Sequence, residues 1–469
     1  MPSELLGAVT VTDEMAEATG DRAWLRALLD AEVALARAEA ELGVIPAGAA
    51  DAIAATARVE NFDPAALGKA ARGGGNPVIP LVDALGAAAG EPARAWVHWG
   101  ATSQDIMDSA QMLVAARALV PIRSSLVALA DACAEQAEAH RHTLMAGRTL
   151  LQQALPITFG LQAAGWLVGV LDADAQMEAA AGSLAAELGG AAGTLASLGE
   201  RGPEVAERFA HHLGLPAPML PWHTARQRIA ALAGALGTAT GTAGKISGDV
   251  ALLMQTEVGE IFEPAGAGRG GSSTLPHKRN PVAAAAVATA TRQALALLPV
   301  LFGSLVAEYQ RPVGAWQSEW ESLSQLLALA GSAVAQTAET VAGLEVHPEA
   351  MAANLDRTRG LLMAERVSLA LAGAADRKGG TIGRPAAKAA VEAASRRVVA
   401  SGRSLGEELA DDELVSAAFS AEEVAELLDP AGYLGATQVW IDRALAARAE
   451  RWPSPASLDG ARRRSGVAS

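Results

Sequence analysis

A chain of 469 residues is too long for one small core, and with 51% hydrophobic and 19% charged residues it can bury a large one divided among domains. A formal net charge of −15 argues against a nucleic-acid partner, whose phosphates would be repelled. The single cysteine, Cys133, excludes an intrachain disulfide and a multi-cysteine metal site, and fits a reducing cytoplasm. Aromatic residues make up only 4% while alanine abounds, so helices are favoured over strands and an all-α fold is expected.

The N-terminus has no basic segment ahead of an apolar run, so no secretory signal is expected. Residues 21–42 read as a helix with Asp21 as N-cap, on which Trp24, Leu28, Ala31 and Leu35 recur at helical spacing before Gly43 and Pro46 end it. A second long helix is expected over 103–140. A third covers 156–189 and is broken by Gly189-Gly190. The longest charge-free stretch, between Arg148 and Asp172, contains Gln152, Gln153, Pro156, Thr158 and Gln162, so it reads as buried helix and no membrane partner is expected.

Ile246, Val250, Leu253 and Met254 mark a helix over 226–262. Residues 282–306 form another, bent at Pro299, and a last long one covers 318–343. Long helices pack side by side, so a central bundle is expected over 103–345, after an N-terminal helical domain over 1–102. Shorter helices follow the break at Val346–Pro348 and define a C-terminal domain over 346–452. The Ser, Arg and Gly-rich 453–469 reads as a flexible tail.

The segment Gly266–Pro281 concentrates chemistry. Gly266, Gly268, Gly270 and Gly271 precede Ser272 and Ser273, and His277, Lys278 and Arg279 follow. Small hydroxyls on a loop beside cations suit anion binding and closure over a substrate, although an ordinary solvated loop has the same composition. The run Gly271-Ser272-Ser273-Thr274-Leu275-Pro276-His277-Lys278-Arg279-Asn280-Pro281 resembles the GSSxMPxKxNP motif of the fumarase/aspartase superfamily, with Leu275 where Met is usual. Two further blocks stand in the expected order: His98-Trp99-Gly100-Ala101-Thr102-Ser103-Gln104-Asp105, and Gly147-Arg148-Thr149-Leu150-Leu151-Gln152-Gln153-Ala154. Residues 221–228, 314–320 and 360–365 are similar to segments of one subgroup, the bacterial 3-carboxy-cis,cis-muconate cycloisomerases. Within them, Trp316 and Trp320 also fit two core residues on one helix face.

The resemblance implies a three-domain, all-α enzyme with no cofactor and no metal, working as a homotetramer whose sites are shared between subunits. It implies a small polycarboxylate substrate and chemistry through a dianionic aci-carboxylate, towards which donors and cations must be aimed. By the same resemblance Ser272 is the base, with Ser273 and Lys278 beside it in the catalytic group. Thr102, Ser103, Arg148, Gln152, Asn280, His98 and Arg311 are the implied substrate-binding residues. The histidines themselves offer no HxxxH pair for a metal, and His140-Arg141-His142 reads as a solvated helix end.

In adenylosuccinate and argininosuccinate lyases the second block carries a Thr-His pair, whereas this chain has Thr149-Leu150. That departure favours a lactonising enzyme over an amine-expelling one, because a carboxylate departs without a general acid. Another lyase acting on a substituted succinate, or a catalytically silent homologue, remains open at this level.

Overall fold

The computed structural model describes residues 4–264, 266, 270, 271, 275, 277–375 and 380–453. The architecture is all-α. Strands among these residues are confined to two antiparallel ribbons, Leu144–Thr149 with Gln152–Thr158 and Ile261–Phe262 with Glu345–Val346.

The first long helix spans Asp21–Glu41, but its N-cap is Gly20, not Asp21. Asp21 sits in the first turn instead, where its charge complements the helix dipole. The second runs unbroken over Ser103–Ala139 and accommodates Pro121. The third is shorter than its apolar run suggested, Phe159–Gly182, because residues 152–158 pair as a strand. Thr158 supplies the start signal: its Oγ1 accepts the Leu161 N–H at 3.1 Å. The helix expected to reach 262 ends at Leu253, and the chain then turns through Gly259 at φ 60° into the second ribbon. Val282–Gly303 and Ala315–Ala342 complete the set.

The chain divides into two compact units. The first comprises residues 4–128, 172–247 and 283–338; the second takes 129–171, 248–282 and the chain from 339 onward. Five of the long helices contribute residues to both.

In the first unit the N-terminal helices are tied to Ala315–Ala342 by polar links. Trp24 Nε1 donates to Ser324 Oγ at 2.7 Å, and Thr12 N donates to Ser332 Oγ at 2.9 Å. Gly331 permits this approach, since a Cβ there would stand 2.5 Å from Met15 Sδ. In the second unit Asp249 accepts from Gln162 Nε2 and Trp166 Nε1, at 2.8 and 2.7 Å. Its C-terminal helices close over buried Val367, Leu371, Val391, Val398, Leu405 and Leu409. Capping boxes at Ser404/Glu407 and Ser420/Glu423 start two of them. Cys133 is wholly buried in the Ser103–Ala139 helix, and burial pushes its thiol pKa up.

Two helices, Ser103–Ala139 and Val282–Gly303, are long and apolar enough by composition to cross a membrane. The first nevertheless buries Gln104, Asp105, Asp108 and Gln111, and the second carries Arg292 near its middle.

Candidate active site

In the first unit, Thr102 immediately precedes the Ser103–Ala139 helix, and Asp105 in the first turn fixes it. Asp105 is wholly buried. Its Oδ2 accepts from Thr102 N and Gly190 N, both at 2.9 Å. Its Oδ1 accepts from Gly189 N at 2.9 Å and lies 2.7 Å from His223 Nε2. One carboxylate therefore pins the start of the helix to the Gly189-Gly190 turn. A buried carboxylate is tolerated there because several donors satisfy it.

Arg311 reaches this corner from the chain ahead of Ala315–Ala342. Its Nη2 donates to Thr102 Oγ1 at 3.0 Å and its Nε to Gln104 Oε1 at 3.1 Å. The buried amide of Gln104 donates in turn to the His223 carbonyl at 2.8 Å and to Asp108 Oδ2 at 3.2 Å. Behind it, buried Arg226 bridges Asp108 and Glu319, and Trp316 Nε1 donates to Asp108 Oδ1 at 3.0 Å. Trp316 is thus a core residue, stacked edge-to-face on Trp320 with centroids 4.8 Å apart. The result is an exposed guanidinium beside a threonine hydroxyl, both held by a buried frame. That geometry suits recognition of a carboxylate.

His98 does not open towards a ligand through Nδ1, which lies 2.7 Å from Glu32 Oε1. Burial opposes its charged form, but the Glu32 carboxylate outweighs burial and holds the ring's pKa above its ordinary value. Asp105, Glu187 and His223 offer atoms within 4.8 Å of one another. Burial, with Asp108 and Asp105 nearby, pushes the Glu187 pKa up to about 9, so this acid is protonated near neutral pH. The Asp105 oxygens are already engaged by backbone donors, and His223 Nε2 lies between Asp105 Oδ1 at 2.7 Å and Glu187 Oε1 at 3.3 Å.

The second unit holds the other two motifs. Arg148 is paired with buried Glu260, Nη1 to Oε2 at 2.9 Å and Nη2 to Oε1 at 2.6 Å. Asn354 Nδ2 donates to the same Glu260 Oε1 at 2.7 Å. The expected anion partner is therefore already neutralised within its own chain. Between the strands, Thr149 pairs with Gln152 across the tip Leu150-Leu151. Both leucines have positive φ, 51° and 64°, and they are 96% and 73% exposed. Such two-residue tips favour Asn-Gly, and leucine there is both strained and unsheltered.

Gly270 O accepts from Asn280 N at 2.9 Å, and Gly271 bridges Arg279, so the ends of the glycine-rich segment are joined. Gly270 has φ 70°, and a Cβ on it would stand 2.9 Å from the Asn280 carbonyl. Arg279 forks onto Glu345 at 2.7 and 2.9 Å and lies over the Phe262 ring. Lys278 is exposed. Ser272 and Ser273 lie outside the described residues.

Of the residues singled out in the sequence, Thr102, Ser103, His98 and Arg311 belong to the first unit. Arg148, Gln152, Lys278 and Asn280 belong to the second. Sequence reasoning missed Gln104 and Asp105 as positioning groups, although both stand inside the quoted block. It missed Glu260 and Asn354 entirely.

The chain is similar to known proteins over most of its length. Residues 7–296 match the family described as Lyase, and residues 360–444 match the adenylosuccinate lyase C-terminus. A 3-carboxy-cis,cis-muconate cycloisomerase of Pseudomonas aeruginosa is 46% identical, covering 95% of this chain and 96% of its own. A nitrosuccinate lyase of Streptomyces davaonensis is 45% identical, covering 94% of each chain. The crystal structure of the 3-carboxy-cis,cis-muconate lactonizing enzyme from Pseudomonas putida superposes with a TM-score of 0.89 at 41% identity, over 96% of this chain and all of that one. The fold and these matches define an enzyme of the lyase and cycloisomerase type. The chain belongs to the Lyase family, within the fumarase/aspartase superfamily.

Proposed function

We propose that the chain is a 3-carboxy-cis,cis-muconate cycloisomerase of aromatic catabolism. In the forward direction one carboxylate oxygen adds to the conjugated double bond and forms the C–O bond. The electron pair passes into the neighbouring carboxylate as an aci-carboxylate, and a proton then joins the α carbon to give 4-carboxymuconolactone. The reverse is a β-elimination with a carboxylate leaving group.

The observation that carries this reading is the Thr102–Arg311 corner, an exposed cation and hydroxyl fixed by Gln104 and Asp105. Arg311, Thr102 and Ser103 bind one carboxylate, and Lys278 and Asn280 stabilise the developing dianion. Ser272 exchanges the proton at carbon, assisted by Ser273. His98 and Gln152 contact the substrate's other polar groups. Arg148 serves the site by holding the hairpin in place, its charge being met by Glu260. No metal or cofactor enters these steps.

The active form is a homotetramer in the cytoplasm. Only 22% of the most apolar stretch of Val282–Gly303 is buried within the chain, and Leu295, Val300 and Phe302 are exposed on that helix. A second copy would cover them. The exposed Leu150-Leu151 tip would likewise meet a neighbouring subunit, completing a site shared between chains.

A second reading, elimination from a substituted succinate, is favoured by the similarity to a protein named nitrosuccinate lyase. Progress curves with 3-carboxy-cis,cis-muconate, nitrosuccinate and adenylosuccinate separate the two. Lactonisation of the muconate, absent in Ser272→Ala, is the expected result. Turnover of nitrosuccinate or adenylosuccinate, with none of the muconate, would establish the second reading.

A further inference from the structure

Glu32 stands on the Asp21–Glu41 helix with its side chain wholly buried. Its Oε1 lies 2.7 Å from His98 Nδ1, and that ring is its one hydrogen-bond partner among the described residues. Glu32 Oε2 is enclosed and unpartnered. Glu39 follows about two helical turns later on the same face. It is also wholly buried, with both carboxyl oxygens unpartnered among the described residues. Burial, with Glu32 beside it, pushes the Glu39 pKa up to about 9, so near neutral pH Glu39 is uncharged. A buried carboxylate is costly unless a partner compensates it, and for Glu32 that partner is His98.

The backbone at His98 is strained. Its φ is 60°, in the left-handed region, and Gly100 follows at φ 71°. A Cβ on Gly100 would stand 2.6 Å from Leu198 Cδ2, so the turn is pressed against a neighbouring segment. Residues strained in this way persist where their surroundings over-determine them, and they cluster at ligand sites. The His98 side chain is 17% exposed, enough to meet a ligand. A carboxylate only accepts, so Nδ1 donates to Glu32, and Nε2 is the nitrogen left for a ligand. Nε2 has no partner among the described residues and is not sealed off. Burial disfavours the charged ring, but the Glu32 carboxylate and, less strongly, Asp105 outweigh it and raise the pKa of His98.

We propose that Glu32 is a positioning residue: its carboxylate grips His98 Nδ1–H and holds the ring as an imidazolium whose Nε2–H donates to a substrate carboxylate. The carboxylate read in this way is a different one from that at the Thr102–Arg311 corner. This rests on the role proposed above for His98 as a substrate contact. A neutral ring could not substitute. With Nδ1–H kept on Glu32, its Nε2 would carry a lone pair and repel a carboxylate oxygen. Binding of a polycarboxylate therefore depends on a proton that Glu32 keeps in place. The contact is the same in the bound substrate and in the transition state, so its loss falls on KM and not on kcat.

Glu32→Gln keeps the shape and an acceptor for Nδ1–H while removing the charge. Steady-state kinetics of the full-length protein on 3-carboxy-cis,cis-muconate should show KM raised roughly 10- to 100-fold near neutral pH, with kcat little changed. In the parent, KM should climb with pH as His98 loses its proton; in Glu32→Gln the climb should come at lower pH. NMR titration of labelled histidines, with His98 assigned from His98→Gln, reads the proton directly. Its midpoint should lie above the free-histidine value in the parent and below it in Glu32→Gln. Glu39→Gln removes the second buried acid of the same helix face and should alter neither the midpoint nor KM. In a His98→Gln background, Glu32→Gln should add nothing further. A parent midpoint at or below the free-histidine value, an unmoved midpoint or unchanged KM in folded Glu32→Gln, or an equal effect of Glu39→Gln would each overturn the proposal. A parent inactive on the muconate would count against the proposed function alone. The NMR midpoints and the calorimetric affinity for non-reacting tricarballylate, which Glu32→Gln should weaken by the same factor, would then decide this inference.

Discussion

Arg148 and Glu260 are 112 residues apart in sequence and form a two-pronged ion pair, with the Glu260 side chain completely buried. Because Asn354 also donates to Glu260, the pair anchors the hairpin that carries Leu150 and Gln152. Removing one partner of a buried pair leaves the other uncompensated, at about 3–5 kcal/mol. Arg148 is 21% exposed and regains some hydration, so Glu260→Ala should cost towards the lower end of that range. Chemical denaturation measures the change. A shift below about 1 kcal/mol would show that the pair does not hold the hairpin.

The Arg311 fork should be sensitive to geometry as well as to charge. Arg311→Lys keeps the charge and loses the two-point attachment to Thr102 and Gln104. Hydrogen bonds to charged groups are worth about 1.5–3 kcal/mol, so kcat/KM should fall by roughly 10- to 100-fold. Gln104→Leu should reproduce much of that loss through KM, although it touches no substrate. Steady-state kinetics on 3-carboxy-cis,cis-muconate decides, and an unaltered KM in both variants would remove the corner from the site.

Glu187 gives a pH signature. Its folded pKa, about 9, lies above the unfolded value, so the folded state holds an extra proton between the two. Stability from this group is therefore greatest below the unfolded carboxylate pKa of about 4.3 and declines as pH rises towards the folded value. Glu187→Gln removes the titration. Relative to the parent, its stability should rise steadily from pH 5 to about 9. Thermal melts of both proteins across that window provide the check; parallel curves would mean that Glu187 is ionised in the fold.

The hairpin tip should show a trade between stability and activity. Replacing Leu150-Leu151 with Asn-Gly relieves two left-handed leucines, each costing of order 1–3 kcal/mol. The double variant should melt higher as a dissociated chain. If the tip completes a neighbour's site, turnover should fall sharply at the same time. A stabilised enzyme of unchanged activity would show that the leucines serve neither assembly nor catalysis.

What could be read in the sequence was whatever is local. Helical spacing located Ser103–Ala139 within one residue, because 37 residues of uninterrupted pattern leave little freedom. The same reasoning ran past Leu253 and began the third long helix too early, at 156 rather than Phe159. A charge-free run containing Gln152, Gln153 and Pro156 has the composition of a buried helix, and only pairing with residues 144–149 makes part of it a strand. Site residues followed the same division. Thr102 and Arg311 could be named from motifs, but Asp105 could not be recognised as the clamp on Gly189 and Gly190, some 84 residues away. Glu260 carries no local signal at all, since its role exists only through Arg148 and Asn354.

The buried Cys133 gives the protein an internal clock. A thiol that is fully enclosed and whose pKa is raised reacts only when its surroundings open. With a single cysteine in the chain, modification cannot come from a faster site elsewhere. The labelling rate in native buffer thus reports how often the lower part of the Ser103–Ala139 helix comes apart. Measured with and without substrate, it would register stabilisation of the site with a thiol reagent alone.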